Sequence, residues 1–325
     1  MKDNARGTIY VMSPDIPSPT GGIKVLYRHV DILNAHGYRA FILHENVGFR
    51  CTWFENTTPV TYLPFVRPTD EDFVVIPEIF GPQMARIARG TPKVIYNQSG
   101  SLTFQGYPID ASGDETPYTN PEVVATFAIS ENVIDYVSFA FPEMRQFRMR
   151  WSIDQSAFSF VGPSHKKRQI AFMPRRRPEE ALQVFNLLKF RGALDGFNVV
   201  PIHDMTAKQT ADVMGQSLLF FSFGYPEGLP LPPAEAMSRG CIVIGYHGFG
   251  GKEYFLPDVC YPVEAGDVLS FAQTAEKVLD GVRRNEPHVT EKGRLASKLI
   301  KSQYSTENEV ADVLSAWTEL AGEPA

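Results

Sequence analysis

The chain has 325 residues, with 31 basic and 37 acidic side chains for a formal charge of −6, and is 43% hydrophobic and 21% charged. That balance is ordinary for a globular protein, and the net negative charge argues against nucleic acid as a partner. The length suits two domains, each able to bury a core of its own.

The opening stretch, MKDNARGTIYVMSP, has only a short apolar run before Pro14 and no signal-peptide pattern, and no segment nears the ~18 apolar residues of a spanning helix. Cys51, Cys241 and Cys260 are too far apart to read as a disulfide framework. A cytoplasmic protein is expected, and a peripheral contact with the inner face of the membrane is compatible with this sequence.

Short β-rich apolar runs alternate with helical patterns, as in a parallel α/β sheet. In the first half the pattern predicts strands at Thr8–Met12, Ala40–Leu43, Phe73–Ile76, Val94–Tyr96 and Ala125–Ala128. A helix over Ile23–His36 puts Ile23, Leu26, Val30 and Leu33 on one face, with Gly37 past its end, and a shorter helix is expected at Met84–Ala88. Gly106–Asn120 reads as a long polar loop. Phe141–Gln169 shows neither period, and the domain boundary is placed there, giving domains over 1–150 and 151–304.

The second half predicts strands at Ile170–Met173, Val199–Ile202, Leu218–Phe221 and Cys241–Ile244. Helices are expected at Glu179–Phe190, Ala207–Met214, Pro233–Arg239, Val268–Arg284 and Glu291–Gln303. A last helix within 305–325 opens with a capping box, Thr306 and Glu309, and stripes Val310, Val313, Leu314 and Trp317 along one side. The fold class is therefore α/β, two Rossmann-like doubly wound domains facing a cleft, with ligands at the carboxyl ends of strands.

Two carboxylates stand eight residues apart in YPEGLPLPPAEAMSRG. Glu227 follows a strand on a proline-stiffened loop, and Glu235 falls in the first turn of the next helix, aimed back at the same strand ends. One acid can meet the near end of an extended ligand and the other its hydroxyls; alternatively, Glu235 balances a helix dipole and Glu227 is solvated. Arg175-Arg176-Arg177 also lies between a strand end and a helix start, where guanidinium and free N–H groups can meet phosphate. Lys166-Lys167-Arg168 lies at the opposite edge, roughly 16 Å away along the intervening strand. It reads as solvated surface or an acidic-lipid contact.

The segment EGLPLPPAEAMSRGCIVIGY resembles the signature of retaining nucleotide-sugar glycosyltransferases of the B fold. SPDIPSPTGGIKVLYRHVDILNAHGYRAFIL is similar to that family's first βαβ unit, SIDQSAF with Asp154 and Phe158 to its domain-linking element, and IAFMPRRRPEEAL to the opening of its nucleotide domain. The resemblance implies that Glu227 lies by the transferred sugar and its phosphates and that Glu235 holds the ribose hydroxyls, for which an ionised carboxylate is a suitable bidentate acceptor. Arg175 matches the family's phosphate-binding arginine, with Arg177 or Lys252 as substitutes for the lysine that the family has where Glu180 stands. Donor-binding candidates are Gly21, Gly22, Arg177, His203, the backbone at Gly228, Leu229 and Leu231, Glu235, and Gly250, Gly251 and Lys252 of the GFGG loop. Pro230 replaces a family glycine and removes one N–H.

On the acceptor side the strand KVIY leads to Asn97 and Gln98, and His44 stands at another strand end. The implied activity is transfer of a hexose-type sugar from a nucleoside diphosphate to a carbohydrate or lipid-linked hydroxyl, with retention and no cofactor. The final helix is expected to pack back on the first domain, as in relatives. Asp70-Glu71-Asp72 imitates a metal-chelating D-x-D but sits at the amino edge of its strand, and no residue set has zinc spacing, so no metal is expected. Glu180 and Pro230 motivate a rival reading, a nucleotide-sugar-binding protein without turnover; an epimerase or phosphorylase on the same architecture is a third.

Overall fold

β-branched and aromatic runs that are buried on both faces form the central strands, and such runs favour parallel pairing beneath covering helices and loops. The computed structural model describes residues 7–107, 109 and 116–324. The chain divides into two compact units, Met1–Arg150 together with Glu309–Ala325, and Trp151–Asn308.

In the first unit the order is β1 (Ile9–Met12), α1 (Gly21–Ala35), β2 (Ala40–His44), β3 (Val60–Tyr62), β4 (Phe73–Pro77), β5 (Lys93–Asn97), β6 (Val123–Ala128), α2 (Glu131–Ala140) and β7 (Gln146–Arg148). All pairs are parallel, in the order β3-β2-β1-β4-β5-β6-β7. The order reverses between β1 and β4, which opens a crevice at their carboxyl ends.

The second unit runs β8 (Lys167–Phe172), α3 (Pro178–Phe190), β9 (Asn198–Pro201), α4 (Ala207–Gln216), β10 (Ser217–Phe223), α5 (Leu231–Ser238), β11 (Ile242–Tyr246), β12 (Tyr261–Val263), α6 (Val268–Arg283) and α7 (Pro287–Gln303). Its five parallel strands lie in the order β12-β11-β10-β8-β9, with the reversal between β8 and β10. Every residue of β10 is buried, and Phe221 and Phe223 join Phe271 of α6 in the core. The last helix, α8 (Thr306–Ala321), leads into the first unit, which takes the chain from Glu309 onward. There Trp317 packs against Phe73, Phe127 and His29, and its indole Nε1 donates to His29 Nε2 at 2.8 Å.

Several sequence expectations are corrected. The expected Met84–Ala88 helix is a 3-10 stretch, Glu78–Arg86, broken at Gly81, and Ala88 has a positive φ of 45°. α2 and the three-residue strands β3, β7 and β12 were not anticipated. The expected capping box on α8 is shifted: Ser305 Oγ accepts the Asn308 amide at 3.2 Å, and Glu309 accepts from Arg28 Nε at 2.7 Å. Lys166 is not solvated, because its ammonium donates to the carbonyls of Met214, Gly215 and Ser217 at the end of α4. Part of the expected Gly106–Asn120 loop, residues 108 and 110–115, lies outside the described residues; Pro117–Thr119 is a 3-10 turn.

Candidate active site

The second unit's switch point gathers three loops, those after β8, β10 and β11. Arg176, on the first, brings its Nε within 3.2 Å of Glu227 Oε1 on the second. Burial pushes the Glu227 carboxyl up from its ordinary value, opposed by the charge of Arg176 and then of Arg175. Arg175 is exposed and contributes charge, while the contact belongs to Arg176, the arginine without an assigned role in the sequence.

The third loop braces the second. The Glu227 N–H donates to Gly248 O at 3.0 Å, and the Gly250 N–H donates to Glu227 O at 3.1 Å. A Cβ at Gly250 would overlap the Gly228 carbonyl, so only glycine lets the loops approach this closely. The Gly250 N–H also reaches Gly248 O at 2.9 Å around Phe249, whose φ of 63° and ψ of −65° define a classic γ-turn. The Gly251 N–H is spent on His247 O at 3.0 Å. Gly250 and Gly251, donor-binding candidates from the sequence, therefore have their amides engaged within the protein, and Gly250 holds Glu227 in place. Lys252 is exposed, its ammonium 5.7 Å from the centre of the Phe249 ring.

Arg177 turns the other way. Its Nη1 donates to Glu180, and its guanidinium lies over the rings of Tyr225 and Tyr246 at 5.7 and 5.5 Å. Glu180, where the family resemblance leads to a lysine, thus neutralises a neighbouring arginine, which corrects Arg177 as a phosphate ligand. Burial, and then Glu180, raise the pKa of the Tyr246 phenol. α5 begins two residues earlier than expected, so the half-buried Glu235 stands in its second turn, and no acid occupies the first. The N–H groups of Gly228, Leu229 and Leu231 have no backbone acceptor among the described residues. Tyr254 donates its hydroxyl to Pro230 O, fixing the carbonyl of the residue that replaces the family glycine. His203 follows the edge strand β9, is exposed, and has its Nδ1 3.3 Å from Asp204.

In the first unit, Gly22 opens α1 beneath Gln98, whose Nε2 donates to Gly22 O at 3.2 Å; a Cβ there would overlap the Gln98 amide. Gly21 is exposed beside it. Asn97, expected to face an acceptor, is fully buried: its Nδ2 donates to Thr103 and Tyr118 at 2.8 Å each, and its Oδ1 accepts the Ser99 amide at 3.1 Å. His44 is likewise enclosed, with Nδ1 2.7 Å from Asp15 Oδ1 and Nε2 2.7 Å from the Tyr27 hydroxyl, so it anchors the loop after β1 rather than meeting a ligand.

No known family profile matches the sequence. An α-1,6-glucosyltransferase of Actinobacillus pleuropneumoniae serotype 7 (strain AP76) is 26% identical over 297 residues, 86% of each chain. Among solved structures, the lipopolysaccharide outer core galactosyltransferase WaaB (apo form) matches with a TM-score of 0.69 at 11% identity, covering 96% of this chain and 99% of that one. Sucrose-phosphate synthase from Thermosynechococcus elongatus matches at 0.68 and 12% identity, covering 97% and 99%. The chain has the glycosyltransferase B fold. Anabaena HepE, solved in complex with UDP-glucose, adds a TM-score of 0.63 at 11% identity, covering 96% and 99%.

Sequence reasoning missed three groups at the switch point. Arg176 was hidden inside a run of identical residues. Tyr225 lies 5.7 Å from both the Arg176 and Arg177 guanidinium carbons and opens the very loop that carries Glu227. His247, just before the glycine loop, is buried; its Nδ1 accepts the Phe249 N–H at 3.0 Å, so the proton sits on Nε2, which has no hydrogen-bond partner. Burial, and then Lys252, hold its pKa below the ordinary value. Among the described residues no group of three His, Cys, Asp or Glu side chains is placed to hold a metal ion, and no helix is long and apolar enough to cross a membrane. Asp72, of the acidic triplet, accepts the Thr8 and Thr69 amides at 2.6 and 2.8 Å.

Proposed function

We propose that this protein is a glycosyltransferase that moves a hexosyl group from a nucleoside-diphosphate sugar, with UDP-glucose the first donor to test, to a hydroxyl of a carbohydrate or lipid-linked acceptor, with retention and without a metal. The observation that carries the reading is the pairing of Glu227 with Arg176 at the switch point. A carboxylate and a guanidinium from neighbouring loops are set beside the available N–H groups of Gly228, Leu229 and Leu231. The guanidinium and N–H groups suit the diphosphate, whose charge grows as the bond to the sugar breaks. Glu235, farther along α5, is assigned to the ribose hydroxyls. On the resemblance, the acceptor oxygen bonds C1 on the face that the diphosphate leaves, and its proton passes to the departing phosphate oxygen. The relative's glucosyl transfer and the UDP-glucose bound by HepE support the choice of donor.

UDP release from a panel of UDP-, ADP- and GDP-sugars tests this reading. Glu227→Gln should abolish release while weakening UDP binding little, and Glu235→Ala should chiefly weaken binding. Trivial effects from both would overturn the assigned roles. One observation favours a rival, a nucleotide-sugar-binding protein without turnover: the Arg177–Glu180 pair removes a positive charge from the site. Binding without release would support that rival, and an altered sugar still attached to its nucleotide would indicate epimerisation.

A further inference from the structure

The loops after β10 and β11 pack as one body, and a buried imidazole stands behind the second of them. A Cβ at Gly224 would overlap the Tyr246 carbonyl, one at Gly248 the Tyr225 carbonyl and the Pro230 ring, and one at Gly250 the Gly228 carbonyl. Glycine at all three positions lets the two backbones lie side by side. Gly248 O and the Gly250 N–H then bracket the backbone of Glu227.

Between those two glycines the turn passes through Phe249, a residue with a large side chain at a φ of 63°. A classic γ-turn is rare and strained, and such backbone persists only where its surroundings over-determine it. His247 supplies that determination. Its Nδ1 accepts the Phe249 N–H at 3.0 Å, a group that no backbone carbonyl takes among the described residues. The ring is 6% exposed and lies edge-on to the rings of Phe249 and Phe255, with centres 5.9 and 6.4 Å apart. Its Nε2 has no hydrogen-bond partner among the described residues, Glu264 Oε2 being 3.9 Å away. A buried N–H left idle carries a cost that an apolar side chain would avoid. What the imidazole contributes here is its acceptor.

We propose that His247 is a positioning residue for Glu227. By accepting the Phe249 N–H it holds the γ-turn in the geometry in which Gly248 O and the Gly250 N–H grip the Glu227 backbone, and so keeps that carboxylate opposite Arg176. The brace rests on the second unit alone. That its loss reaches turnover rests on the glycosyltransferase reading, in which Glu227 is the acid beside the transferred sugar. A loosened turn misplaces that acid, and small misplacements of a reacting group are costly in rate.

Two variants of the full chain test this. His247→Asn keeps an acceptor oxygen near the place of Nδ1, and His247→Leu fills the space without one. Hydrogen exchange resolved at the Phe249 amide should be slow in the wild type and in His247→Asn, and roughly tenfold faster in His247→Leu, the effect of losing one hydrogen bond. In His247→Leu the kcat for UDP release from UDP-glucose should fall about 10- to 100-fold with the calorimetric Kd for UDP nearly unchanged, and His247→Asn should restore most of that rate. A merely structural role would lower affinity and turnover together, with no rescue by asparagine. That outcome overturns the proposal, as does an unprotected Phe249 amide in the wild type. Should the leucine variant not fold, His247→Gln, whose oxygen lies one carbon farther out, takes its place under the same criteria. If the wild type releases UDP from no sugar, the donor reading fails, while the exchange comparison still decides whether His247 holds the turn.

Discussion

Arg176 and Arg177 are neighbours in sequence held in opposite states. The first reaches the Glu227 carboxylate across the switch point, and the second is neutralised by Glu180 and covered by Tyr225 and Tyr246. Arg176→Gln should therefore reduce UDP release from UDP-glucose by about 10²–10³-fold, the range seen when a donor to developing negative charge is removed, with the melting temperature nearly unchanged. Arg177→Gln should show the reverse: turnover reduced less than tenfold, but stability lower by about 1–3 kcal/mol, because Glu180 loses its charged partner in a half-buried site. Turnover assays and thermal melts on the two variants decide this, and a larger turnover loss from Arg177→Gln would sink the assignment. The place of the Arg175–Arg177 run between a strand end and a helix start was legible in the sequence; which of its members meets Glu227 was not. Successive residues on a turn meet different partners, and which guanidinium is captured depends on Tyr225, Tyr246 and Glu180, on the loop after β10, on β11 and on α3.

At the scale of elements, long periodic helices and fully buried strands were legible because burial writes a period into them. α1, α3, α6 and β10 kept their places within a few residues of the sequence-based bounds. The elements without such a signature were missed. β3, β7 and β12 have three residues each, and α2 buries only Val133 and Val137, two positions on a single stripe. α8 shows what a legible stripe does in three dimensions. Val313, Ala316 and Trp317 are buried, and Trp317 is wedged among Phe73, Phe127 and His29. The flanking pairs, Arg28 with Glu309 and Arg150 with Asp312, add register more than energy where a partner is solvent-exposed. Trp317→Ala should cost the first unit about 3–5 kcal/mol, the usual range for truncating a fully buried large aromatic, whereas Arg28→Ala should cost about 1 kcal/mol or less. Urea titrations resolve the two. Comparable losses would mean that α8 is held by its ion pairs and not by the indole.

Across the whole molecule, two buried groups give folding a pH dependence of opposite sign. His29 accepts the Trp317 indole N–H and must be neutral to do so; burial lowers its pKa from 6.5 to about 3. Between those values the unfolded chain binds the extra proton, so this group's contribution is lost as pH falls from about 6.5 toward 3. Glu78 behaves inversely. Its pKa rises from 4.5 to about 7, the folded state holds the extra proton between those values, and stability falls as pH rises through that window. Each group contributes a slope of up to about 1.4 kcal/mol per pH unit while its two states differ by a full proton. From pH 5 to 6 the slopes oppose, so the two groups together leave the first unit's midpoint nearly level. The variants separate them: Glu78→Gln should leave a midpoint that climbs with pH over that interval, and His29→Phe one that descends. With two units in one chain, melting need not be two-state, and the first unit's transition must be followed separately from the second's. Equal slopes of one sign in both variants would show that the pH response originates elsewhere.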